Sequence, residues 1–445
     1  MLIRFVAENI LSFHQETEFN MLTGEVRRLP EHVHKLTNLD LLKSAVIYGA
    51  NGAGKSNLIM AIGLLSQIVK EGDIRVIDSD LKFKLADTKG KPSSLEIEFV
   101  VGRKGYAYGI SISNEEIVEE WLYRLYYGKK ADELIFERKR QKKGKTSLKL
   151  HPKYIKTGKD ELLVKIYEED VLEHNVPFIF LVKDKKYKEI SEAFQWFETN
   201  LLIIFPNTKY AGLVEHFTKD HEFKEFTNST MHGFHTGIHE IDIQTIDFDQ
   251  FFGEDNLSEK ERVLNRIKGG DREAVGDYKN AIALIENGKP VVKKAITYHI
   301  DNKGEKVKFE LFNESDGTLR LIDFIPAIFL LNKFPITILI DEIDQSIHAS
   351  LLKEFISKIQ KVGIKGQLIF TTHESNLLDL DLFRQDEIWF AEKNDEGASQ
   401  FYPLSDYDVR PDLDIRKGYL SGRFGAIPFL GNLRDLNWEQ YAKEY

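Results

Sequence analysis

Short apolar runs that end in glycine, acidic or hydroxyl residues recur along this chain and predict buried strands of a parallel sheet. They cover Ala45–Tyr48, Ile336–Ile340 and Leu368–Thr371. Continuous apolar runs without alternation are typical of strands that are covered on both faces by helices. An apolar-periodic stretch follows the first run after a glycine-rich turn and predicts a helix. The pattern as a whole therefore predicts an α/β fold.

Residues 93–113 have the alternation that is typical of antiparallel strands. The segment SSLEIEFVVGRKGYAYGISIS alternates apolar and polar positions on both sides of a Gly-Arg-Lys-Gly turn at 102–105. This part of the chain therefore predicts a β-hairpin.

A different period appears at Tyr187–Phe205, where apolar residues recur every three or four positions and predict a short amphipathic helix. The residues on its apolar face are Ile190, Phe194, Phe197 and Leu201. We expect this aromatic stripe to lie in a core rather than to stack on nucleic acid bases. No heptad pattern persists around it, so the signal for a long coiled-coil arm is missing.

The length of 445 residues and the apolar content of 42% predict a globular chain with one large composite domain or two to three smaller ones. The chain has no cysteine, which excludes disulfides and cysteine-based zinc sites and is compatible with a reducing compartment. A formal net charge of −10 disfavours attraction of the whole surface to nucleic acid. The most basic stretch, Glu137–Lys149, is interpreted as a solvated loop or hairpin tip, with a contact to nucleic acid or a partner as the alternative.

The sequence carries no signal for export or for membrane insertion. Its start, MLIRFVAENILSF, lacks the apolar core and the cleavage site of a signal peptide. The longest apolar region, Leu319–Ile340, cannot present about 20 uncharged residues to lipid. It is interrupted by Arg320, Asp323, Pro326, Lys333 and Pro335. We therefore expect a cytoplasmic protein that has no membrane partner.

The turn after the first apolar run has the composition of a phosphate-binding P-loop. Four residues separate Gly49 from Gly54, and Lys55 and Ser56 follow directly. Glycines let backbone N–H groups converge on phosphate oxygens, and the next helix presents its positive end to them. Lys55 would bridge the β- and γ-phosphates, and the Ser56 hydroxyl would ligate Mg²⁺. The residues expected to bind the nucleotide here are Gly49, Asn51, Gly52, Ala53, Gly54, Lys55, Ser56 and Asn57.

The second apolar run ends in two acids, Asp341 and Glu342. An acid at the tip of a buried parallel strand can hold the hydration shell of Mg²⁺, so Asp341 is the expected metal residue beside Ser56. Glu342 is expected to act as the base that takes the proton of the attacking water. Two neighbouring acids can also simply cap a helix, but the P-loop upstream favours a hydrolytic site.

His373 stands just beyond the third apolar run. In an open parallel sheet, ligands bind outside the carboxyl ends of the strands. A neutral imidazole at that edge would hydrogen-bond the γ-phosphate or the attacking water. We therefore assign His373, together with Lys55 and Glu342, to catalysis.

The segment FNESDGTLRL, Phe312–Leu321, joins turn-forming residues to a helix predicted at Leu319–Leu331. A serine hydroxyl, a glycine N–H and a helix N-terminus make a good anion site, although the same residues make an ordinary helix cap. The order of the P-loop, this segment and the acidic strand resembles ABC-type ATPases, in which a signature motif precedes that strand. The resemblance implies that Ser315 and Gly317 contact ATP held by another subunit, and hence a homodimer or higher homo-oligomer formed through ATP.

Both ends of the chain resemble particular branches of these ATPases. The segment IRFVAENILSFHQETEF is similar to the RecF, SMC and OLD-like branch, with Asn9, Ser12 and Phe13 at matching places. The segment at Arg416–Leu430 resembles ATPases of prokaryotic anti-phage and abortive-infection loci, of the AbiL or PARIS type. The resemblance implies an ABC-type P-loop ATPase head with a mixed sheet and two lobes.

The motif order divides the chain into four expected parts. Residues 1–130 would form lobe I with the P-loop, and 291–400 would form lobe II with the signature, the acids and His373. Residues 131–290 are expected to form a compact, mainly helical insertion. Residues 401–445 would pack on the head as a C-terminal segment.

One histidine-rich stretch, MHGFHTGIHEIDI, invites a second kind of site. It places His232, His235, His239 and Glu240 close together in the sequence. Metal binding is the sharper hypothesis, but the spacing lacks a clean helical pair of ligands, and Gly233 and Gly237 favour turns.

The function that follows is an ATPase that uses ATP and Mg²⁺ as a dimerising switch. The resemblance implies a sensor or regulator of phage defence that controls a separately encoded effector, a nuclease or toxin, with nucleic acid or a phage protein as further possible partners. One alternative is a RecF-like DNA repair ATPase, against which the acidic charge counts. The other is a self-contained nuclease regulated by ATP.

Overall fold

The computed structural model describes residues 1–76, 81–88, 90–128, 130–141, 145–210, 212–253, 256–270, 272–276, 281–410 and 413–427. The chain divides into two compact units. The first unit comprises Met1–Ile203, Pro335–Glu342 and Gly366–Tyr445, and the second comprises Ile204–Phe334 and Ile343–Lys365.

The first unit holds two large sheets and most of the strands. Its strands are β1 (Leu2–Glu8), β2 (Thr17–Asn20), β3 (Val33–Leu36), β4 (Leu39–Leu42), β5 (Ser44–Gly49), β6 (Ser93–Val101), β7 (Lys104–Ser113), β8 (Glu116–Leu125), β9 (Glu133–Arg140), β10 (Thr146–Leu150), β11 (Leu201–Ile204, whose last residue belongs to the second unit), β17 (Thr337–Ile340), β18 (Gln367–Thr371), β19 (Ile388–Lys393) and β20 (Ser399–Pro403). Its α-helices are α1 (Lys55–Glu71), α2 (Gly158–Ile166), α3 (Phe178–Leu181), α4 (Lys188–Gln195) and α11 (Ile415–Leu420).

One sheet is antiparallel and the other is mainly parallel. The antiparallel sheet has the order β10-β9-β8-β7-β6-β1-β2, and the hairpin predicted at 93–113 is its β6–β7 pair. The second sheet has the order β11-β17-β18-β5-β19-β20, in which β17, β18, β5 and β19 are parallel and β20 returns antiparallel to β19. The α/β fold class predicted from the apolar runs is confirmed.

The three strands predicted from continuous apolar runs are β5, β17 and β18, and every residue in them is buried. They lie side by side with their carboxyl ends at one edge. Helix α1 follows β5 and buries an apolar face that includes Leu58, Ile62 and Leu65. This arrangement brings the P-loop, the acidic pair and His373 to the same edge of the sheet.

The opposite end of β5 is held by a buried carboxylate. The Ser44 hydroxyl donates to Glu387 Oε1, and His32 Nδ1 lies 2.8 Å from Glu387 Oε2. Burial raises the pKa of Glu387, while the hydrogen bond and charge of His32 act in the opposite direction. The strand that carries the P-loop is therefore anchored by side-chain hydrogen bonds at its start.

The second unit contains one sheet and six α-helices among its described residues. Its helices are α5 (Leu213–Lys219), α6 (His221–Gly233), α7 (Phe248–Phe252), α8 (Leu257–Lys268), α9 (Asp316–Lys333) and α10 (Ala349–Val362). Its strands are β12 (Glu240–Asp247), β13 (Glu273–Val275), β14 (Ala281–Glu286), β15 (Lys289–Ile300) and β16 (Lys306–Glu310), in the order β12-β15-β14-β13 with β16 paired to β15.

The expectation of a mainly helical insertion at 131–290 needs correction at both of its ends. Strands β9 and β10 extend the antiparallel sheet of the first unit, and β12, β13 and β14 belong to the sheet of the second. Helices α2 to α8 lie between these strands. The segment EIDIQ at the start of β12 alternates polar and apolar residues, which is the signal of a half-exposed strand that a helical interpretation overlooks.

The aromatic stripe lies in the core of the first unit, as expected. Phe197 is fully buried, and the rings of Trp196 and Phe99 stack with centroids 4.2 Å apart. The helix itself is shorter than expected. It ends at Gln195, a π-helical turn follows to Asn200, and Leu201 begins β11.

Two expectations fall partly outside the described residues. The basic stretch contributes to the hairpin of β9 and β10, but its residues 142–144 are not described. In the C-terminal segment, residues 411, 412 and 428–445 are not described. Within the part that is described, Tyr419 stacks on Phe390 of β19 with ring centroids 5.6 Å apart. None of the helices formed by described residues is long and apolar enough to cross a membrane.

Candidate nucleotide site

The turn between β5 and α1 has backbone features that only glycine accommodates well. A Cβ atom at Gly49 would collide with the backbone carbonyl of Ala391 in β19. Gly52 and Gly54 have positive φ angles of 77° and 105°, in the region where side chains are disfavoured. A Cβ at Gly54 would also collide with the Ser399 hydroxyl. The glycine spacing seen in the sequence is thus required by the shape of this loop.

Lys55 begins α1 and reaches back over the loop. Its side chain is buried, with 5% of the residue exposed. Lys55 Nζ donates to the carbonyl oxygens of Gly49, at 2.9 Å, and Ala50, at 3.1 Å. These bonds hold an ammonium group against the turn, where it can compensate phosphate charge.

Ser56 connects the P-loop to the second apolar run. Its hydroxyl donates to Asp341 Oδ1 at 3.1 Å. Asp341 directly follows β17 and is 4% exposed. A hydroxyl and a carboxylate are hard oxygen donors of the kind that Mg²⁺ prefers, so this pair fits a magnesium ion shared with nucleotide phosphates. Ser56 and Asp341, expected as metal residues, are brought together.

Glu342 has an uncommon backbone conformation next to Asp341. Its φ angle is 49°, which places a residue other than glycine in the left-handed region. Such residues cost of order 1–3 kcal/mol and cluster at functional sites. The Glu342 side chain is half-buried at the carboxyl edge of the sheet, where the predicted base has to be.

Thr371, at the end of β18, contacts both acidic residues. Its hydroxyl donates to Asp341 Oδ1 at 2.6 Å and accepts a hydrogen bond from the Glu342 backbone N–H at 2.8 Å. The parallel register pairs Ile340 with Phe370, which sets Asp341 beside Thr371. The sequence predicts Thr371 only as the last residue of a strand. The single signal available was a hydroxyl residue at the end of an otherwise apolar run.

His373 lies two residues beyond Thr371 and is exposed. Its position follows the carboxyl end of β18, between β17 and β5 in the strand order. The structure therefore places this histidine at the edge that carries the P-loop and the acidic pair.

Three polar side chains form a hydrogen-bond network that contacts the backbone of the P-loop. The Ser399 hydroxyl donates to the Ala53 carbonyl at 2.7 Å and lies 2.7 Å from the Ser12 hydroxyl. The Asn57 side-chain amide donates to Ser12 Oγ at 2.8 Å. The sequence indicates Ser12 and Asn57 as residues of interest but gives no such indication for Ser399, at the start of β20. Nothing in the local sequence distinguishes Ser399 from an ordinary strand residue.

Replacing Ser399 by alanine is expected to weaken ATP binding about three- to tenfold, because a lost neutral hydrogen bond costs about 0.5–1.5 kcal/mol. The Ala53 carbonyl loses its donor, and the loop no longer has one preferred shape. Titration with a fluorescent ATP analogue measures the effect. Ser421→Ala, which removes a hydroxyl that bonds locally to the Gly418 carbonyl, is the matched control. Unchanged affinity of the Ser399→Ala protein would contradict the role of the network.

The signature-like segment belongs to the second unit. Ser315 is the N-cap of α9, and its Oγ accepts from the Thr318 backbone N–H at 3.2 Å. A Cβ at Gly317 would come within 2.6 Å of the Ser346 carbonyl oxygen, so only glycine fits there. The helix-cap geometry is therefore present. The contact of Ser315 and Gly317 with ATP of another subunit remains a prediction.

The histidine-rich stretch does not assemble a metal site. His232 lies in α6, and Glu240 begins β12. Across the ranges that the structure describes, no group of three or more histidine, aspartate or glutamate residues is arranged to hold a metal ion.

The chain matches the model of a known protein family. The model of the family described as "AAA domain, putative AbiEii toxin, Type IV TA system" matches residues 44–379, which is more than half of the sequence. The chain belongs to this family. The matched region of this AAA-domain protein spans the P-loop, the acidic pair and His373. Membership therefore supports ATP as the ligand of the P-loop.

Solved structures of SMC heads are similar to this AAA-domain protein at low identity. The SMC head bound to the C-winged helix domain of ScpA has 12% sequence identity to this chain and a TM-score of 0.41, and the match covers 90% of this chain and 97% of the SMC head chain. The SMC head domain from Thermotoga maritima has 12% identity, coverages of 92% and 99%, and a TM-score of 0.39. An SMC head with an extended coiled coil, bound to the C-terminal domain of ScpA derived from Pyrococcus furiosus, has 15% identity, coverages of 95% and 98%, and a TM-score of 0.35. No functionally curated protein matches the sequence significantly.

Proposed function

We propose that this AAA-domain protein binds ATP with Mg²⁺, hydrolyses it slowly, and uses the cycle to switch between monomeric and paired states. The observation that carries the proposal is the hydrogen bond of 3.1 Å from the Ser56 hydroxyl to Asp341 Oδ1, with Glu342 next in the chain. P-loop ATPases need a metal-binding hydroxyl, a strand-end acid and a base at one place. The P-loop lysine, Lys55, lies in the same unit.

Each residue has one role in the proposed reaction. The Lys55 ammonium and the P-loop N–H groups bind the β- and γ-phosphates. Ser56 and Asp341 would hold Mg²⁺, which neutralises charge between those phosphates when it is bound. Glu342 takes a proton from the attacking water, and His373 donates a hydrogen bond to the γ-phosphate.

The direct test is hydrolysis of ATP by the purified full chain. We expect release of phosphate that requires Mg²⁺ and stops when EDTA is added. The rate per protein molecule is expected to rise with protein concentration, because the proposed active state is a pair. An absence of both ATP binding and phosphate release at every protein concentration would refute the proposal.

Pairing through the signature-like segment is the second part of the proposal. A serine hydroxyl, a glycine N–H and the N-terminus of α9 together form a site for an anion. The helix has 18 residues. The proposed ligand is the γ-phosphate on the P-loop of a second copy.

Replacing Ser315 by aspartate is expected to abolish ATP-dependent pairing and to lower hydrolysis more than tenfold. Aspartate caps helices as well as serine does, so α9 is retained, but its carboxylate repels the γ-phosphate. Light scattering with ATP measures the mass, and the Ser315→Asn protein is the neutral control that also keeps the cap. If the aspartate variant pairs as the unchanged protein does, Ser315 does not face phosphate in the assembly.

The biological role that we propose is control of a separately encoded effector in phage defence. The family description names a toxin–antitoxin system, and the segment at Arg416–Leu430 resembles ATPases of anti-phage loci. Expression together with its neighbouring gene is expected to reduce phage growth, and loss of the P-loop lysine is expected to abolish the effect. If the purified chain alone cleaves DNA or tRNA, it is itself the effector. ATP-dependent, salt-sensitive binding of duplex DNA would instead favour a repair role.

A further inference from the structure

The hydroxyl of Thr371 makes a hydrogen bond with each of the two acidic residues that follow β17. A threonine hydroxyl has one proton to donate and two lone pairs that accept. In this site the proton goes to Asp341 Oδ1, and a lone pair takes the N–H of Glu342. Thr371 is completely buried, so water does not compete for these bonds.

The bond to the Glu342 N–H supports a strained conformation. A left-handed φ angle in a residue other than glycine persists only when its surroundings hold it there. Because β17 ends at Ile340, the backbone N–H of Glu342 is no longer part of the strand. The acceptor that it finds is the Thr371 hydroxyl, on the neighbouring strand. The direction of the chain at the proposed base therefore depends on one side chain.

The bond to Asp341 fixes the proposed metal residue in the same way. Asp341 Oδ1 accepts from Ser56 at 3.1 Å and from Thr371 at 2.6 Å. A metal ion on Ser56 would take over the contact between Ser56 and the acid. Thr371 is then the remaining donor, among these two, that orients the carboxylate. Partners of this kind are worth about 10- to 100-fold in metal affinity or activity.

We propose that Thr371 is a positioning residue that sets the metal acid and the base of this ATPase together. The inference rests on the proposed function, since it assumes that Asp341 serves Mg²⁺ and Glu342 serves water. In this proposal Thr371 contacts neither the Mg²⁺ ion nor the attacking water. His373 lies two residues after Thr371, so a movement of this end of β18 at the γ-phosphate would displace the Thr371 hydroxyl and, through it, both acidic residues.

The test compares Thr371→Val, which keeps the shape of the side chain but not its hydroxyl, with Thr371→Ser, which keeps the hydroxyl. The matched control is Thr337→Val. Thr337 is also buried, lies at the other end of β17, and makes two hydrogen bonds, to Gln367 and from Leu2. Thermal unfolding of all three proteins measures any general loss of stability.

Two readouts separate positioning from folding. The first is binding of a fluorescent ATP analogue with EDTA and with Mg²⁺. In EDTA, the affinity of the valine variant for the analogue is expected to lie within twofold of that of the unchanged protein. The factor by which Mg²⁺ increases the affinity is expected to be about tenfold smaller in the variant. The second is the steady-state rate, in which kcat is expected to fall about 10- to 100-fold, while the KM for ATP with Mg²⁺ rises by no more than the lost Mg²⁺ gain. The serine variant is expected to restore both.

The outcomes distinguish this inference from the function on which it rests. If the unchanged protein neither binds nor hydrolyses ATP, the proposed function fails. If it does both, and the Thr371→Val protein has the same Mg²⁺ gain and kcat, the inference is overturned. It is also overturned if the Thr337→Val control loses as much of either quantity, because the effect then reflects general damage to the sheet.

Discussion

Replacing Glu342 by glutamine is expected to lower ATP hydrolysis by about 100-fold or more while leaving ATP binding intact. A general base contributes about 10²- to 10⁴-fold to a rate, and an amide cannot take the proton of the water. The change keeps the size of the side chain and the backbone N–H that donates to Thr371. The nucleotide is then held without being consumed, so pairs of the protein should accumulate.

Two measurements check the glutamine variant. Single-turnover hydrolysis with radiolabelled ATP gives the rate, and gel filtration with ATP gives the fraction of pairs. Glu374→Gln is the matched control, because Glu374 follows His373 at the same sheet edge and its carboxylate accepts only a local backbone N–H from Asn376 among the bonds described. Hydrolysis that remains normal would exclude Glu342 as the base. An unchanged size in ATP would exclude the pairing part of the proposal.

Removing the amine of Lys55 has the second large effect. The Lys55→Ala protein is expected to bind ATP roughly 10- to 100-fold more weakly, because hydrogen bonds to charged groups contribute about 1.5–3 kcal/mol. The change also removes the donor that holds the Gly49 and Ala50 carbonyls, so the loop loses internal support. Both effects act on phosphate binding, and hydrolysis should fall with it.

The control for this variant lies on the same helix. Lys70 is in the last turn of α1 and is exposed, so Lys70→Ala changes the net charge equally without touching the P-loop. Titration with the fluorescent ATP analogue compares the two proteins. Equal affinities would mean that Lys55 does not contact phosphate. A loss of affinity restricted to the Lys55 variant would support the assignment and separate it from a general effect of charge.

The sequence was sufficient where a short stretch of chain determines the outcome. The P-loop is one continuous turn, and its glycines are required by local φ angles and by contacts with the next strand. The strands β5, β17 and β18 were predictable because burial on both faces demands continuous apolar residues. Ser315 as a helix cap was predictable for the same local reason.

The sequence misled where local pattern and tertiary pairing compete. The end of the amphipathic stretch, Leu201–Ile204, is apolar enough to continue a helix, but it becomes a strand because the sheet edge beside β17 offers backbone partners. Strand β12 alternates polar and apolar residues only at its start, and it lies within the range expected to be mainly helical. Pairing with β15 decided its conformation, since a half-exposed strand gains stability only from its neighbour.

The sequence by itself determined the α/β class, the P-loop and the identity of the acids and histidine that follow the buried strands. Only the tertiary structure decided which side chains meet there. Thr371 bonds Glu342 and Ser399 bonds Ala53, so each of the two residues is at least 29 positions away from its partner in the sequence. Strand order and register bring them together. Hydrogen bonds act over about 3 Å, and no periodicity along the chain reports a distance that short between remote residues.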